Sequence, residues 1–221
     1  ATGVSLSEST LTFVSLAAIT QLTATVTDAN GETMSGATVA WATSAASVAT
    51  VSSTGLVTSV ADGTATITAT SGSATATATV TVAQVATGVS LSESTLTFVS
   101  LAATTQLTAT VTDANGETVS GATVTWATSD AAVATVSSTG LVTSVADGTA
   151  TITATSGSAT ATASVTVAQV AATLSLSEST LTFVSLAATT QLTATVTDAN
   201  GETVSGATVT WATSDAAVAT V

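Results

Sequence analysis

The side chains able to ligate a metal or carry a proton are few, and they recur in one pattern. Asp28, Asn30 and Glu32 stand in the run Asp28-Ala29-Asn30-Gly31-Glu32. The run returns as Asp113, Asn115 and Glu117 and again as Asp198, Asn200 and Glu202. Oxygen ligands on alternate residues open a calcium loop, but this run lacks the later ligands and the closing bidentate Glu of an EF-hand. The same residues also make a β-turn, with Asn-Gly supplying positive φ. Both readings stay open on the sequence. Asp62, Asp130 and Asp147 stand alone in other loops.

What is missing narrows the chemistry further. The 221 residues contain no Lys, Arg, His, Cys, Tyr or Pro, and 13 carboxylates give a formal charge of -13. Without cationic side chains the phosphates of a nucleic acid go unneutralised, so nucleic-acid binding is not expected. Contact with an anionic membrane surface is unexpected for the same reason. Zinc, haem and iron–sulfur ligands are absent, as are disulfides. A His-based triad, a thiol nucleophile and a Schiff-base lysine are equally out of reach. Paired carboxylates can hydrolyse glycosides, yet these repeat on loops with no cleft expected, so the chain is read as a non-enzyme.

The elements that must position these residues are themselves repeated. Residues 1–85 recur at 86–170 with six changes, and residues 86–136 recur at 171–221 with three. A period of 85 is too long for a solenoid repeat of one supersecondary unit and suits a small complete domain. The expected division is 1–85, 86–170 and an incomplete 171–221. The chain is read as a window on a longer polypeptide.

Within each copy the hydrophobic period is two, which marks half-buried strands. Leu22, Ala24 and Val26 share one face. Val39 and Trp41, then Ala65, Ile67 and Ala69, then Val80 and Val82 do likewise. The alternating partners are mostly Thr, β-branched and suited to a pleated surface. Turn signals separate the runs at 28–31, 53–55, 61–63 and 71–73. The pattern predicts about seven strands, near 3–7, 10–15, 20–27, 37–43, 48–52, 56–60 with 63–70, and 74–82. That predicts an all-β fold of antiparallel Greek-key sandwiches around a thin Ala/Val core with one Phe and one Trp. The six differences between the first two copies, at 19, 34, 40, 45, 47 and 79, are expected to avoid that core, with 40 and 79 facing outward and the rest in loops.

The segment Val48-Ala49-Thr50-Val51-Ser52-Ser53-Thr54-Gly55-Leu56-Val57-Thr58, followed by Ala61-Asp62-Gly63-Thr64-Ala65-Thr66-Ile67-Thr68-Ala69, resembles the bacterial Ig-like domain, group 2. Val4-Ser5-Leu6-Ser7, Gln21-Leu22-Thr23-Ala24 and Val39-Ala40-Trp41-Ala42-Thr43-Ser44 agree in order and spacing. The resemblance covers both full copies and the visible part of the third. It implies an Ig-like sandwich of the kind used in bacterial surface proteins, intimin- and invasin-type adhesins and some phage structural proteins. It implies no enzyme activity and transfers no binding residue. The absence of Lys and Pro departs from the family's usual loops.

Ig-like topology sharpens the reading of the carboxylates. In a head-to-tail array Asp62 is expected to approach Asp113, Asn115 and Glu117 of the next domain. Asp147 and Asp130 are expected to approach Asp198, Asn200 and Glu202. With no cation in the chain, the expectation is weak Ca²⁺ binding at these junctions, in the roughly 10⁻⁴–10⁻³ M range of extracellular modules. The linker 81–90 has strong β character and one Gly, unlike a flexible Gly/Ser linker. It predicts a linear rod in which each module adds about 35–45 Å. Rows of outward Thr, 64 to 70 beside 75 to 81, read as solvent-facing strand residues, as a lateral or glycosylated face, or as an ice-binding surface. The sequence therefore predicts a structural repeat module of an extracellular stalk, fibre or filament at a bacterial surface. Its expected partners are neighbouring domains of the same chain and further chains in a fibre or bundle. The alternative is an adhesin or phage-surface array that binds a glycan or receptor.

Overall fold

A computed structural model describes residues 1–221, and the chain holds strands and turns with no helix. It divides into two compact units. The first comprises Ala1–Ser90, Ala109–Val124 and Thr155–Ala161; the second comprises Leu91–Thr108, Thr125–Ala154 and Thr162–Val221.

In the first unit the strands of the first copy are β1 (Gly3–Leu6), β2 (Thr10–Phe13), β3 (Ile19–Gln21), β4 (Ala24–Thr27), β5 (Ala40–Thr43), β6 (Ala49–Val51), β7 (Leu56–Ser59), β8 (Gly63–Ser71) and β9 (Ala74–Val82). Two layers face each other. One is the four-stranded sheet β2-β9-β8-β5 and the other the three-stranded sheet β3-β7-β6, while β1 and β4 form a separate pair. The core between them holds Leu11, Phe13, Leu22, Ala49, Val57, Ala65, Ile67, Ala78, Val80 and Val82, with Trp41 packed on its side. These are the inward positions of the period-two pattern. Their Thr neighbours pair on the outer face, Thr64 with Thr81, Thr66 with Thr79 and Thr68 with Thr77.

Three features differ from the sequence reading. The run 20–27 is two strands, because Leu22 N–H bonds the Gly55 carbonyl and the chain changes sheet there, β3 joining β7 and β4 joining β1. The run 56–70 likewise splits into β7 and β8 in different sheets, so each full copy has nine short strands. The pairing of β2 with β9 is parallel, whereas every other pair in this copy is antiparallel. Of the six differing positions, 40 and 79 do face outward. Ile19, however, lies in β3, and Ala45 packs against the core instead of standing clear of it.

Glycine is obligatory at one turn. Gly55 has φ +87, and a Cβ there would meet Trp41 Cζ2 at 2.8 Å; Gly140 repeats this against Trp126. Both the left-handed backbone and the close approach exclude a side chain.

The second copy repeats the pattern as β10 (Gly88–Leu91), β11 (Thr95–Phe98), β12 (Thr104–Gln106), β13 (Ala109–Thr112), β14 (Thr125–Thr128), β15 (Ala134–Val136), β16 (Leu141–Ser144), β17 (Gly148–Ser156) and β18 (Ala159–Val167). The second unit's core gathers Leu96, Phe98, Leu107, Val133, Ala134, Val142, Ile152, Val165 and Val167. Residues 171–221 form a single strand pair, β19 (Thr173–Leu176) with β20 (Ala194–Thr197).

Candidate functional site at the joints between copies

The site begins with a turn that each Asp builds for itself. Asp113 Oδ1 accepts the N–H groups of Asn115 and Glu117, both at 3.0 Å, and Asp113 N–H bonds the Glu117 carbonyl. Gly116, at φ 84, closes the loop. Asp198 does the same with Asn200 and Glu202, at 2.9 and 3.0 Å. Asp28 does so with Asn30 and Glu32. Side-chain-to-backbone bonds of this kind are what Asp contributes to turns.

The second carboxylate oxygen faces the preceding copy. Asp113 Oδ2 accepts the N–H of Leu16 at 2.8 Å and the side-chain amide of Gln84 at 2.9 Å. Asn115 returns a bond from Nδ2 to the Leu16 carbonyl at 2.7 Å. The next joint has the same geometry. Asp198 Oδ2 accepts Leu101 N–H at 2.8 Å and the Gln169 amide at 3.0 Å, and Asn200 Nδ2 donates to the Leu101 carbonyl at 2.8 Å. The first set lies inside the first compact unit and the second inside the second.

The fold aims these groups. Leu16 sits on a bend held by Ser59, whose hydroxyl donates to the Ser15 carbonyl at 2.8 Å and accepts Ala18 N–H at 3.0 Å. Ala17 takes φ 54 to make the bend, and Ala102 and Ala187 take 55 and 58. A left-handed residue other than Gly, Asn or Asp is uncommon. Here it turns both polar groups of Leu16 out of the copy, so that an apolar residue presents an N–H and a carbonyl to the next loop. Gln84 is positioned by its own backbone, whose N–H bonds Asp62 Oδ1 at 2.8 Å. Gln169 bonds Asp147 in the same way.

Asp113 and Asp198 are 3% and 2% exposed. A buried carboxylate without a cation needs hydrogen bonds to hold its charge. Burial, the largest single influence on Asp113, pushes its carboxyl up. The Gln84 amide and the Leu16, Glu117 and Asn115 N–H groups together outweigh it and hold the group below the ordinary 3.8. For Asp198 the Gln169 amide is the largest influence. With the Leu101, Glu202 and Asn200 N–H groups, it outweighs burial and lowers the carboxyl. Every buried side-chain N or O atom has a partner.

The junction carboxylates are therefore arranged as follows. Asp62 and Asp113 meet through one residue, Gln84, as Asp147 and Asp198 meet through Gln169. Asn115 and Asn200 donate across the joint. Glu117 and Glu202 contribute their backbone N–H to the turn and are exposed. Asp130 accepts Ala132 N–H in its own loop. No three acidic side chains converge in a way that could hold a metal ion. A cation at Asp113 would have to displace N–H donors that already point their positive ends at its oxygens. Sequence reasoning missed Leu16 and Gln84. Gln84 was detectable as one of only two Gln in the first copy, whereas a backbone group leaves no trace in residue type.

The covalent connection is equally short. Val85 N–H bonds the Val14 carbonyl in the first copy and Thr87 N–H bonds the Thr112 carbonyl in the second, so Ala86 alone lies between the two. Val170 bonded to Val99 and Ala172 bonded to Thr197 leave only Ala171 at the next joint.

Facing β-sheets closed over a thin core and repeated in tandem define an Ig-like sandwich array. The profile of the bacterial Ig-like domain (group 2) matches residues 1–82 and 85–167, and the chain belongs to that family. Comparison with curated protein sequences yields no match. Among solved structures, the chain is similar to invasin, a bacterial integrin-binding protein, at 18% identity and a TM-score of 0.52, covering 92% of this chain and 47% of that one. It is also similar to domains 1–6 of the surface layer protein SbsC, at 25% identity and a TM-score of 0.39, covering 83% of this chain and 27% of that one. The Escherichia coli adhesin FdeC aligns at 23% identity and a TM-score of 0.39, covering 75% of this chain and 63% of that one. The chain thus spans about a quarter of the length of that six-domain segment of the surface layer protein.

Proposed function

We propose that this chain is a structural repeat segment of a bacterial surface protein, in which 85-residue Ig-like modules (1–85, 86–170 and the part 171–221) supply length and stiffness outside the cell. The observation that carries this reading is the joint. One residue separates hydrogen-bonded backbone on either side, and a buried Asp then ties the two copies together through Leu16 and Gln84. A joint held by both a short connection and side-chain bonds resists bending far better than a flexible linker. The reading assigns no turnover to the chain. Lateral association into a fibre belongs to the same proposal, because the sheet edges β2 and β5 carry none of the Lys or Pro that usually protects an open edge.

The test is surface display. An epitope is carried on arrays of increasing module number, and its height above the cell surface is measured. Height should grow linearly with the number of modules and become variable when the joint Asp residues are changed to Ala. A height independent of module number rejects the stalk reading. Specific retention of a soluble glycan or receptor fragment by the array would favour the adhesin reading in its place.

A further inference from the structure

The chain holds three Asn, at 30, 115 and 200, each within the same run Asp-Ala-Asn-Gly-Glu-Thr. An Asn-Gly pair can modify itself. The glycine carries no Cβ to crowd its nitrogen, so that nitrogen can attack the side-chain amide carbon of the Asn. The three loops share one internal turn, with the Asn N–H on Oδ1 of the Asp and the Gly N–H on the Asp carbonyl. All three Asn are exposed, and nothing lies within 4 Å of where a Cβ on Gly31, Gly116 or Gly201 would stand. Local sequence, turn and access to water are therefore alike at the three sites.

The joint makes the difference. Asn115 Nδ2 donates to the Leu16 carbonyl at 2.7 Å, and Asn200 Nδ2 donates to the Leu101 carbonyl at 2.8 Å. That nitrogen is the leaving group of the reaction. Asn30 is held through its backbone N–H, at 2.9 Å from Asp28 Oδ1. To react, Asn115 must release Leu16 and bring its Cγ to the Gly116 nitrogen. Asp113, which anchors the loop, is itself tied to Leu16 and Gln84, so the joint also restrains the backbone that has to move.

We propose that Asn115 and Asn200 are self-deamidation sites restrained by their joints, and that reaction at either one weakens its joint irreversibly. In the first step a bond forms between the Gly116 nitrogen and Asn115 Cγ. The Cγ–Nδ2 bond breaks, and Nδ2 leaves as ammonia with the proton from Gly116. Water then opens the cyclic imide. Cleavage of the new bond gives Asp, whereas cleavage of the original peptide bond leaves the chain linked through the side-chain carbon. No oxidant or reductant takes part. Either product carries a carboxylate in place of the amide. The Leu16 carbonyl loses its donor, and a negative charge arises near Asp113 in a chain with no Lys or Arg to offset it. The side-chain-linked product also displaces the N–H groups of 115 and 117 from Asp113 Oδ1. The inference rests on the joint geometry and does not depend on a stalk function.

The experiment ages the unaltered chain in mildly alkaline buffer and follows its Asn side-chain amide signals by NMR, assigned with N30D, N115D and N200D. The Asn30 signal should fade first. Those of Asn115 and Asn200 should fade roughly 2- to 10-fold more slowly, the factor that one net hydrogen bond supplies. In Gln84→Ala, loss at Asn115 should quicken toward the Asn30 rate while Asn200 stays slow. In denaturant all three should react at one rate. Equal rates in the folded chain, an Asn115 rate unmoved by Gln84→Ala, or differences that survive unfolding overturn the proposal. So does an Asn30 that persists in the folded chain while the unfolded chain reacts, since the turn alone would then block the chemistry. The weakening is read in Asn115→Asp, where Leu16 amide exchange should exceed that of Asn115→Ala with Leu101 unchanged. Exchange equal to that of the unaltered chain overturns the claim that the modified joint is weaker.

Discussion

The loops at Asp28 and Asp113 have the same sequence, Asp-Ala-Asn-Gly-Glu-Thr, and the same internal turn, but different surroundings. Asp28 receives only the two N–H groups of its own loop and is half-buried. Asp113 receives those two and two more from Leu16 and Gln84, and is almost fully buried. The loop thus takes the same shape whether or not partners engage the second carboxylate oxygen. Docking then orders little that was not already ordered, which removes much of the usual entropic cost of association. The carboxylate's two oxygens divide the work: one builds the turn and the other holds the joint.

The comparison breaks most sharply at the aspartate. Asp113→Ala leaves the Leu16 N–H without an acceptor and the Gln84 amide with only the Thr118 carbonyl, at a cost of about 2–4 kcal/mol to the joint. Exchange of the Leu16 amide should rise roughly 30- to 700-fold, at tenfold per 1.4 kcal/mol. Asp28→Ala makes the same change where the carboxylate bonds only its own loop and should cost only about 0.5–1.5 kcal/mol in this chain. Equal effects at the two sites would mean that the turn, and not the joint, is what the residue supports.

Acid is the next test. The Asp113 and Asp198 carboxyls lie below their ordinary 3.8, so the joints are at full strength above that value. They weaken as pH falls below it and the carboxylates take up protons. Titration followed at the Leu16 and Leu101 amides and at the Gln84 and Gln169 side chains should be flat from pH 7 to pH 5 and change below about pH 4. A transition near neutral pH would contradict the assignment.

Gln84→Ala removes the charge-assisted bond to Asp113 and the longer bond to the Thr118 carbonyl, and should weaken the first joint by about 1.5–3 kcal/mol while leaving the second unchanged. Asn115→Ala removes only the bond to the Leu16 carbonyl and should cost about 0.5–1.5 kcal/mol. Leu16 and Leu101 exchange, read in one experiment, gives each variant its internal control. With the N–H donors already on the Asp113 and Asp198 oxygens, millimolar Ca²⁺ should leave both amides unchanged; protection that rises with Ca²⁺ would support the calcium reading of the junction carboxylates.

How much of this could be read from residues alone varies with how local each feature is. The inward faces of β8 and β9 were legible because Ala65, Ile67, Ala69, Val80 and Val82 alternate with Thr. The break of 20–27 at Leu22 was not, since both halves keep the same alternation and the switch depends on Gly55, 33 residues away. The third copy makes the point most plainly. Its Thr180–Phe183 has the sequence of β11 but no strand, because β structure is completed by a partner far along the chain. At the joint, topology and residue type together brought Asp62 and Asp113 to the same place. The backbone groups of Leu16 that complete the site carry no signature in sequence.

The most direct measurement of the central claim is a distance distribution across one joint. Spin labels at Thr77→Cys in the first copy and Ser120→Cys in the second, both at exposed positions of the first compact unit, report on that joint. A locked joint gives one narrow distance peak at pH 7, with or without Ca²⁺, and Asp113→Ala broadens it. A distribution that is broad in the unaltered chain, or one that stays narrow after Asp113→Ala, would contradict the account.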